Sequence, residues 1–189
     1  MHYITHYQSP LGTILLAACE TGLTGLWFDG AKYYACGLDP NPVEKNTPVF
    51  DQTKKWLDIY FSGREPDFYP PLHLIGTPFQ LLVWDILQKI PYGKTVDYGE
   101  IAKRAAAIKG LSQMSPQAAG GAVGHNKISI IIPCHRVVGA DGSLTGYAGG
   151  IDKKRKLLAL EQKRILFDNP SCGCYDNPVF NSCVDNESL

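Results

Sequence analysis

The feature of this sequence that most limits its fold is a change of apolar pattern across a proline-rich segment. Residues 66–78 contain four prolines and a glycine, and this density continues neither a helix nor a strand. Apolar residues alternate in residues 3–28, before this segment, and recur at intervals of three and four residues in residues 79–90, directly after it. The sequence therefore predicts two folded units, residues 1–73 and residues 77–166.

The first unit has the pattern of a small sheet followed by a helix. Residues 3–28 are rich in alternating or β-branched apolar side chains, with Gly12 and Gly22 at turn positions, which predicts three short strands in an antiparallel meander. Residues 47–62 place aromatic and leucine side chains at helical spacing before Gly63. We expect a small α/β domain with an antiparallel sheet, so that the fold class of the whole chain is α+β.

The second unit begins with three predicted helices. Residues 79–90 carry one apolar stripe that stops before Pro91, and this is typical of an amphipathic helix. Asp97 with Glu100 resembles a capping box, and Ser115 followed by Pro116 is a favoured start for a short helix that extends to residue 122. These two short helices and their connection predict a helix-turn-helix, an arrangement that helical proteins without DNA also use.

The last part of the chain combines a short apolar run, a helix and a turn-rich tail. Residues 128–132 predict a buried strand that Pro133 ends, which leaves Cys134 and His135 at the end of that strand. Residues 152–163 predict a helix with four consecutive cations near its start, which either contact phosphate or are simply solvated. Residues 167–189 are acidic and without periodicity, and we expect this tail to be loosely ordered.

Charge is distributed unevenly between the parts of the chain. Residues 77–166 contain 13 Lys and Arg against 6 Asp and Glu, a net charge of +7, although the whole chain has a formal net charge of zero. A basic unit attracts phosphate, and solvated charged faces would produce the same imbalance. The charge therefore favours nucleic acid as a partner only in combination with other features.

Location is predicted from what the sequence lacks. No apolar stretch approaches the roughly 20 residues that cross a bilayer, and the N-terminus has no basic region followed by an apolar run. The six cysteines show no evenly spaced framework, so we expect reduced thiols. These patterns predict a soluble protein of the cytoplasm, or of the nucleus in a eukaryote, with no membrane partner.

Cys134 beside His135 is the candidate centre of chemistry. A thiolate is a nucleophile, and a neighbouring imidazole that is itself oriented by a carboxylate can remove the proton from the thiol. By spacing alone, a buried cysteine beside a surface histidine is the more common explanation of this pair.

The longer string IPCHRVVGADGSLTGYAGG at residues 132–150, together with LLALE at residues 157–161, carries more information. It resembles the O6-alkylguanine-DNA alkyltransferases, or methylated-DNA-protein-cysteine methyltransferases, whose signature is a PCHR motif after a short strand. The similarity covers residues 77–162. A weaker similarity, in the turn from Ser9 to Gly12, extends it to the first unit.

The resemblance implies an irreversible repair reaction that needs no cofactor. Cys134 would take the alkyl group from guanine O6, His135 would activate the thiol through a water, and Glu161 would orient His135. Tyr147 would donate a hydrogen bond to the guanine ring, and Asn126 would join the recognition helix to the active-site strand. The implied partner is double-stranded DNA that contains O6-alkylguanine, bound by a monomer.

The resemblance also implies how the DNA is held. The target base must leave the duplex, and the small residues of the second short helix, among them Ala118 and Gly121, would let this helix approach the minor groove. Tyr98 would push on the phosphate 3′ to the target, and Arg136 is a further expected DNA contact. Gln117 stands where the family usually has an arginine that fills the gap left by the base.

Two further positions differ from the pattern of the family. Some relatives hold a structural zinc in the first unit, and here Cys19 matches a ligand position whereas Thr24 occupies another, so we predict no metal. The usual Asn-Pro is Asn126-Lys127 in this chain.

Two other functions remain open at this point. A binding module that recognises alkylated guanine without repairing it would lack the acceptor cysteine, and Cys134 is present. A thiol hydrolase could use Cys134, His135 and Glu161 on an amide with many turnovers.

Overall fold

The computed structural model describes residues 1–163 of the 189-residue chain, and the predicted tail at residues 167–189 lies outside the described residues. The first unit is a four-stranded sheet with the order β3-β2-β1-β4. Strands β1 (Tyr3–Ser9), β2 (Gly12–Cys19) and β3 (Gly22–Phe28) form the predicted antiparallel meander. The sequence did not predict the short strand β4 (Val43–Glu44), which pairs parallel to β1.

Both faces of this sheet are covered. Alternate residues of β2 point to opposite faces, so that Ile14 and Leu16 join the main core whereas Leu15 packs with Trp27 in a second, smaller cluster. Helix α1 (Pro48–Phe61) covers the first face with aromatic side chains, as its helical pattern predicts. The main core continues from this face into the second unit, so one apolar core joins the two predicted units.

Three helices form the first part of the second unit: α2 (Pro78–Gln88), α3 (Tyr98–Ile108) and α4 (Pro116–Gly124). Asp97 and Ser115 cap α3 and α4 as predicted, because each side chain accepts a hydrogen bond from a backbone N–H in the first turn. The indole of Trp84 on α2 donates to the carbonyl of Ala122 on α4 at 3.0 Å. Helices α3 and α4 are the predicted helix-turn-helix, and the fold class is α+β.

Residues 128–132 are not the strand that the sequence predicted. Their only ladder contact in the described chain is a single bridge between Ile128 and Leu26 of β3. Ile130 has a φ of 69°, which no strand accommodates. The apolar run therefore reflects burial rather than strand formation. The next strand along the chain is β6 (Val137–Val138), which pairs parallel to β5 (Val96–Asp97).

Helix α5 (Ile151–Glu161) ends the described structure close to the predicted range of 152–163. Its buried face consists of Lys154, three leucines and Glu161, so the helix brings two ionisable groups into the core. Within the described residues, no helix is both long enough and apolar enough to cross a membrane.

Candidate active site

Cys134 begins a single 3-10 turn, Cys134–Arg136, that follows the irregular segment. Its Sγ accepts a hydrogen bond from Nδ2 of Asn126 at 3.1 Å, and the side chain is 5% exposed. The same amide group donates to the carbonyls of Ile128 and Ile132, and Oδ1 of Asn126 accepts from the N–H of Ile128. The side chain of Asn126 therefore makes the backbone hydrogen bonds that a neighbouring strand would make, and it holds the thiol near the end of α4.

His135, the residue after Cys134, forms a buried pair with Glu161. Nε2 of His135 lies 2.7 Å from Oε1 of Glu161, and neither side chain is exposed to solvent. The sequence places these residues 26 positions apart, and α5 brings the carboxylate back to the 3-10 turn. The three residues of the predicted trio are thus in one place.

Glu161 is held as a carboxylate by several donors. Tyr60 and Arg136 donate to it through the hydroxyl and two guanidinium nitrogens, and the N–H of Gly93 donates to Oε2 at 3.0 Å. Burial alone would raise the pKa of Glu161, but the hydrogen bonds from His135 and Arg136 and the charge of Arg136 hold it well below its usual range. An ionised Glu161 is an acceptor only.

The state of Glu161 fixes the tautomer of His135. Because the carboxylate accepts, Nε2 carries the proton and Nδ1 keeps its lone pair. Burial lowers the pKa of His135, against the opposing effect of Glu161, so the ring is neutral near pH 7. Nδ1 is buried and has no hydrogen-bond partner among the described residues, which leaves it able to accept a proton.

The thiol itself is protonated in the resting site. Burial raises the pKa of Cys134, while the hydrogen bond from Asn126 and the positive charge of Lys154 act in the opposite direction. Lys154 is fully buried and donates to the carbonyls of Val137 and Thr145, and burial lowers its pKa to about 8. A protonated thiol is a poor nucleophile, so the reaction requires a base such as His135.

Two predicted tyrosines lie on the outer side of this centre. The ring of Tyr147 meets the His135 ring edge-on at 6.4 Å, and its hydroxyl is buried. Burial, and then the charge that Cys134 carries when it is a thiolate, raise the pKa of Tyr147 well above its ordinary value, so it remains a donor. Tyr98 donates to the carbonyls of Thr145 and Gly146, which connects the start of α3 to the loop that carries Tyr147.

Helix α4 exposes the side that the sequence predicted for DNA. Gln117, Ala118 and Gly121 are all exposed, whereas Ala119, Ala122 and Val123 face the core. A Cβ built at Gly121 would meet no atom within 4 Å, so this position is open to a partner.

Comparison with known proteins places the chain in a family. The model of the 6-O-methylguanine DNA methyltransferase DNA-binding domain matches residues 78–163, and the model of the ribonuclease-like domain of the same proteins matches residues 2–74. The chain belongs to the 6-O-methylguanine DNA methyltransferase family. This family was already suggested by the PCHR motif.

Individual relatives agree with this assignment. The methylated-DNA--protein-cysteine methyltransferase of Haemophilus influenzae is 40% identical over 164 residues, 85% of this chain and 86% of the relative. The protein of the same name from Methanosarcina acetivorans is 43% identical over 160 residues, 84% and 97% of the two chains. The crystal structure of Mycobacterium tuberculosis OGT in complex with DNA superposes with a TM-score of 0.75 at 40% identity, covering 87% of this chain and 95% of that one.

Arg136 was predicted to contact DNA, but the structure places its side chain in the core beside Glu161. Its guanidinium donates to both oxygens of Glu161 and to the carbonyl of Ile90, and the residue is buried. These bonds use three of the five N–H donors of the guanidinium and direct them into the core. A buried carboxylate requires a partner charge. Arg136, the arginine of the PCHR motif, supplies that charge to Glu161.

Sequence reasoning missed two residues of this centre. Lys154 was grouped with the solvated cations of α5, although its position three and four residues before Leu157 and Leu158 places it on the buried face. Tyr60 lies on α1, 101 residues from Glu161, and only its place in an aromatic, helical pattern marked it as buried.

A metal is a separate question for this family. Within residues 1–163, no three His, Cys, Asp or Glu side chains lie close enough together to hold a metal ion. Sγ of Cys19 instead contacts the hydroxyl of Thr21 and the carbonyl of Gly22.

Proposed function

We propose that this protein repairs alkylated DNA directly, by moving the alkyl group from guanine O6 onto Cys134. The observation that carries this proposal is the buried relay in which Glu161 fixes the His135 tautomer beside the asparagine-bound thiol. The membership of the family and its methyltransferase relatives support the same reaction. The activity is a single transfer for each protein molecule.

The chemical step is an in-line displacement at saturated carbon. Nδ1 of His135 takes the proton of Cys134 through a water, and the resulting thiolate attacks the alkyl carbon. The S–C bond forms as the C–O6 bond breaks, and the bonding electron pair of the latter remains on guanine. Tyr147 donates a hydrogen bond to the guanine ring as this negative charge develops. The thioether is stable to water, so the sulfur is not regenerated.

The helix-turn-helix supplies the access to the base. Alkylated guanine must leave the duplex before Cys134 can reach it, at a cost of a few kcal/mol of lost stacking. We assign the exposed face of α4 to the minor groove, because Ala118 and Gly121 permit close backbone approach. Gln117 lies on this face and can hydrogen-bond to the unpaired cytosine, and Tyr98 lies at the loop of Tyr147, where it would meet the 3′ phosphate.

The proposed partner is double-stranded DNA, bound by a single copy of the chain. Acting on genomic DNA requires the protein to share a compartment with it, which is the cytoplasm of a prokaryote or the nucleus of a eukaryote. O4-alkylthymine presents a similar alkyl carbon and is a second candidate lesion.

The hydrolase alternative is disfavoured by backbone geometry. Acyl transfer needs N–H groups that are free to bind an oxyanion. The N–H of Cys134 is donated to the carbonyl of Ile132 at 2.8 Å. The alternative of a binding module without chemistry is disfavoured by the intact relay.

Mass spectrometry of the intact protein tests the proposal. After incubation with duplex DNA that contains O6-methylguanine, we expect the protein mass to rise by about 14 Da, the mass of one methyl group in place of one proton, and the peptide with Cys134 to carry it. Undamaged duplex is the control. No gain of mass with DNA binding retained would favour the binding module, and repeated turnover of an amide would favour the hydrolase.

A further inference from the structure

Tyr60 reaches the catalytic relay from α1, an element of the first unit. Its hydroxyl donates to Oε1 of Glu161 at 2.8 Å and lies 3.4 Å from Nε2 of His135. The residue is fully buried, and its ring stacks on Trp56 at 5.3 Å between centroids. The hydroxyl is therefore held in place by packing as well as by hydrogen bonding.

We propose that Tyr60 is a positioning residue for the transfer reaction, one that holds Glu161 and the His135 ring in the arrangement that directs Nδ1 to the thiol. This inference rests on the proposed function. It assigns part of the active site to residues 2–74, the segment matched by the ribonuclease-like domain model rather than by the DNA-binding domain model.

Tyr60 and His135 donate to the same oxygen atom of the Glu161 carboxylate. Oε1 of Glu161 accepts from the Tyr60 hydroxyl and from Nε2 of His135, at 2.8 and 2.7 Å. Arg136 and Gly93 also donate to the carboxylate, and the hydroxyl of Tyr60 differs from them in lying within 3.4 Å of the imidazole as well. Tyr60 thereby fixes the position of the oxygen relative to the ring, and the ring position determines where Nδ1 points.

The hydroxyl also adjusts the basicity of His135. A donor at Oε1 withdraws charge from the carboxylate, so Glu161 stabilises a protonated imidazole less than it would alone. Loss of this donor would raise the pKa of His135, and a protonated ring cannot accept the thiol proton. Burial and the charge of Glu161 raise the pKa of Tyr60 well above its ordinary value, so the hydroxyl stays a donor throughout the working range.

Other ionisable groups act on the same centre and must stay constant in any test. Those facing the Tyr60, Glu161 and His135 cluster come from the loop after α2, the 3-10 turn, the loop before α5 and α5 itself: Tyr92, Cys134, Arg136, Tyr147 and Lys154. None of them is altered by removal of one oxygen atom from Tyr60.

The test is the pH dependence of methyl transfer in a single-turnover experiment with the full chain. For Tyr60→Phe we expect the transfer rate at pH 7 to fall about 10-fold, as loss of one hydrogen bond to a charged group would produce. We expect the acidic midpoint of the rate profile to move to higher pH by roughly half a unit, and the affinity for the damaged duplex to stay unchanged.

The matched control is Tyr7→Phe. Tyr7 donates to Asp58 of the same helix α1, also at 2.8 Å, so this variant removes a tyrosine-to-carboxylate hydrogen bond away from the relay. We expect its rate profile to match that of the unaltered protein. A purely structural role for Tyr60 would lower stability without moving the midpoint.

A second variant keeps the inference testable if Tyr60→Phe folds poorly. A ring-fluorinated tyrosine at position 60 keeps the hydroxyl and makes it a stronger donor, so we expect the midpoint to move to lower pH. If the unaltered protein transfers methyl and both variants keep its rate and midpoint, the inference is wrong while the proposed function stands. If the unaltered protein acquires no methyl group, the proposed function fails and the inference fails with it.

Discussion

The relay of Cys134, His135 and Glu161 and the exposed face of α4 differ in burial and in hydrogen bonding. The relay is buried, and the carboxylate of Glu161 alone accepts hydrogen bonds from four residues. The face of α4 consists of small, exposed residues such as Ala118 and Gly121, which make no side-chain hydrogen bonds in the described structure. One region is built for fixed geometry, and the other leaves its surface free for a partner.

Under the proposed function, this difference separates chemistry from recognition in the same short stretch of chain. Asn126 lies two residues after α4 and bonds to Sγ of Cys134, so it is the direct link between the two regions. Changes in the relay should therefore affect transfer and stability, whereas changes on α4 should affect affinity for DNA.

Cys134→Ala should abolish transfer and preserve binding. The variant removes the sulfur of the relay, so the protein should acquire no methyl group. The exposed face of α4 is unaltered, so the Kd for the O6-methylguanine duplex should stay within about twofold. Intact mass and fluorescence anisotropy measure the two quantities. Cys36→Ala, which removes an exposed cysteine, is the control that should transfer normally. Transfer by Cys134→Ala would remove this sulfur from the mechanism.

Glu161→Gln should reduce both transfer and stability. The change leaves Arg136 buried without its counter-charge, and breaking a buried pair costs about 3–5 kcal/mol of unfolding free energy. We expect the transfer rate to fall about 100-fold because His135 loses its fixed tautomer. Urea denaturation and single-turnover kinetics measure these effects. Unchanged kinetics in a destabilised variant would show that the carboxylate is structural only.

The same carboxylate predicts how stability depends on pH. The folded-state pKa of Glu161 lies below its ordinary value of 4.5, so its contribution is fully present above pH 4.5 and is lost as pH falls toward the folded-state pKa. The free energy of unfolding of the unaltered protein should therefore decline below pH 4.5 more steeply than that of Glu161→Gln. Denaturation at a series of pH values between 3 and 7 measures the two slopes. Parallel slopes would contradict an ionised, bonded Glu161.

The regular elements and the juxtaposition of Cys134, His135 and Glu161 were predictable because their signals are local or carried by a motif. Asp97 and Ser115 cap their helices with their own side chains, and the PCHR motif identifies Cys134 and His135 directly. The partners that complete the relay lie far away in sequence. Tyr60 is 101 residues from Glu161, and no periodicity links an α1 tyrosine to an α5 carboxylate.

The predictions that were wrong concern residues that are buried without forming the regular structure, or having the exposure, that their residue type favours. The apolar run at residues 128–132 has the composition of a strand, but Ile130 has a positive φ and the side chain of Asn126 takes the backbone bonds that a neighbouring strand would take. Arg136 and Lys154 were read as cations for DNA or solvent, since charged residues are rarely fully buried. Both are buried because each has acceptors in the core.

Gly121→Ala should strengthen the fold and weaken DNA binding. A Cβ at this position meets open space, so the gain in helix propensity should stabilise the protein by about 0.5–1 kcal/mol. The same Cβ would hold α4 away from the minor groove, and we expect affinity for duplex to fall about 10-fold. Gly124→Ala, also in open space but at the end of α4, is the matched control and should leave affinity unchanged. Equal affinity for both variants would place the DNA elsewhere.

Gln117→Arg should produce the smallest effect, a gain in affinity. Gln117 is exposed in the first turn of α4, and an arginine there adds one cation without disturbing the core. We expect about threefold tighter binding to damaged duplex at moderate salt, and a salt dependence steeper by about 0.9 in the slope of log K against log salt. Gln52→Arg adds the same charge to an exposed position of α1 and should change neither quantity. An equal gain from both variants would mean that net charge alone attracts the DNA, and the assignment of α4 to the groove would lose its support.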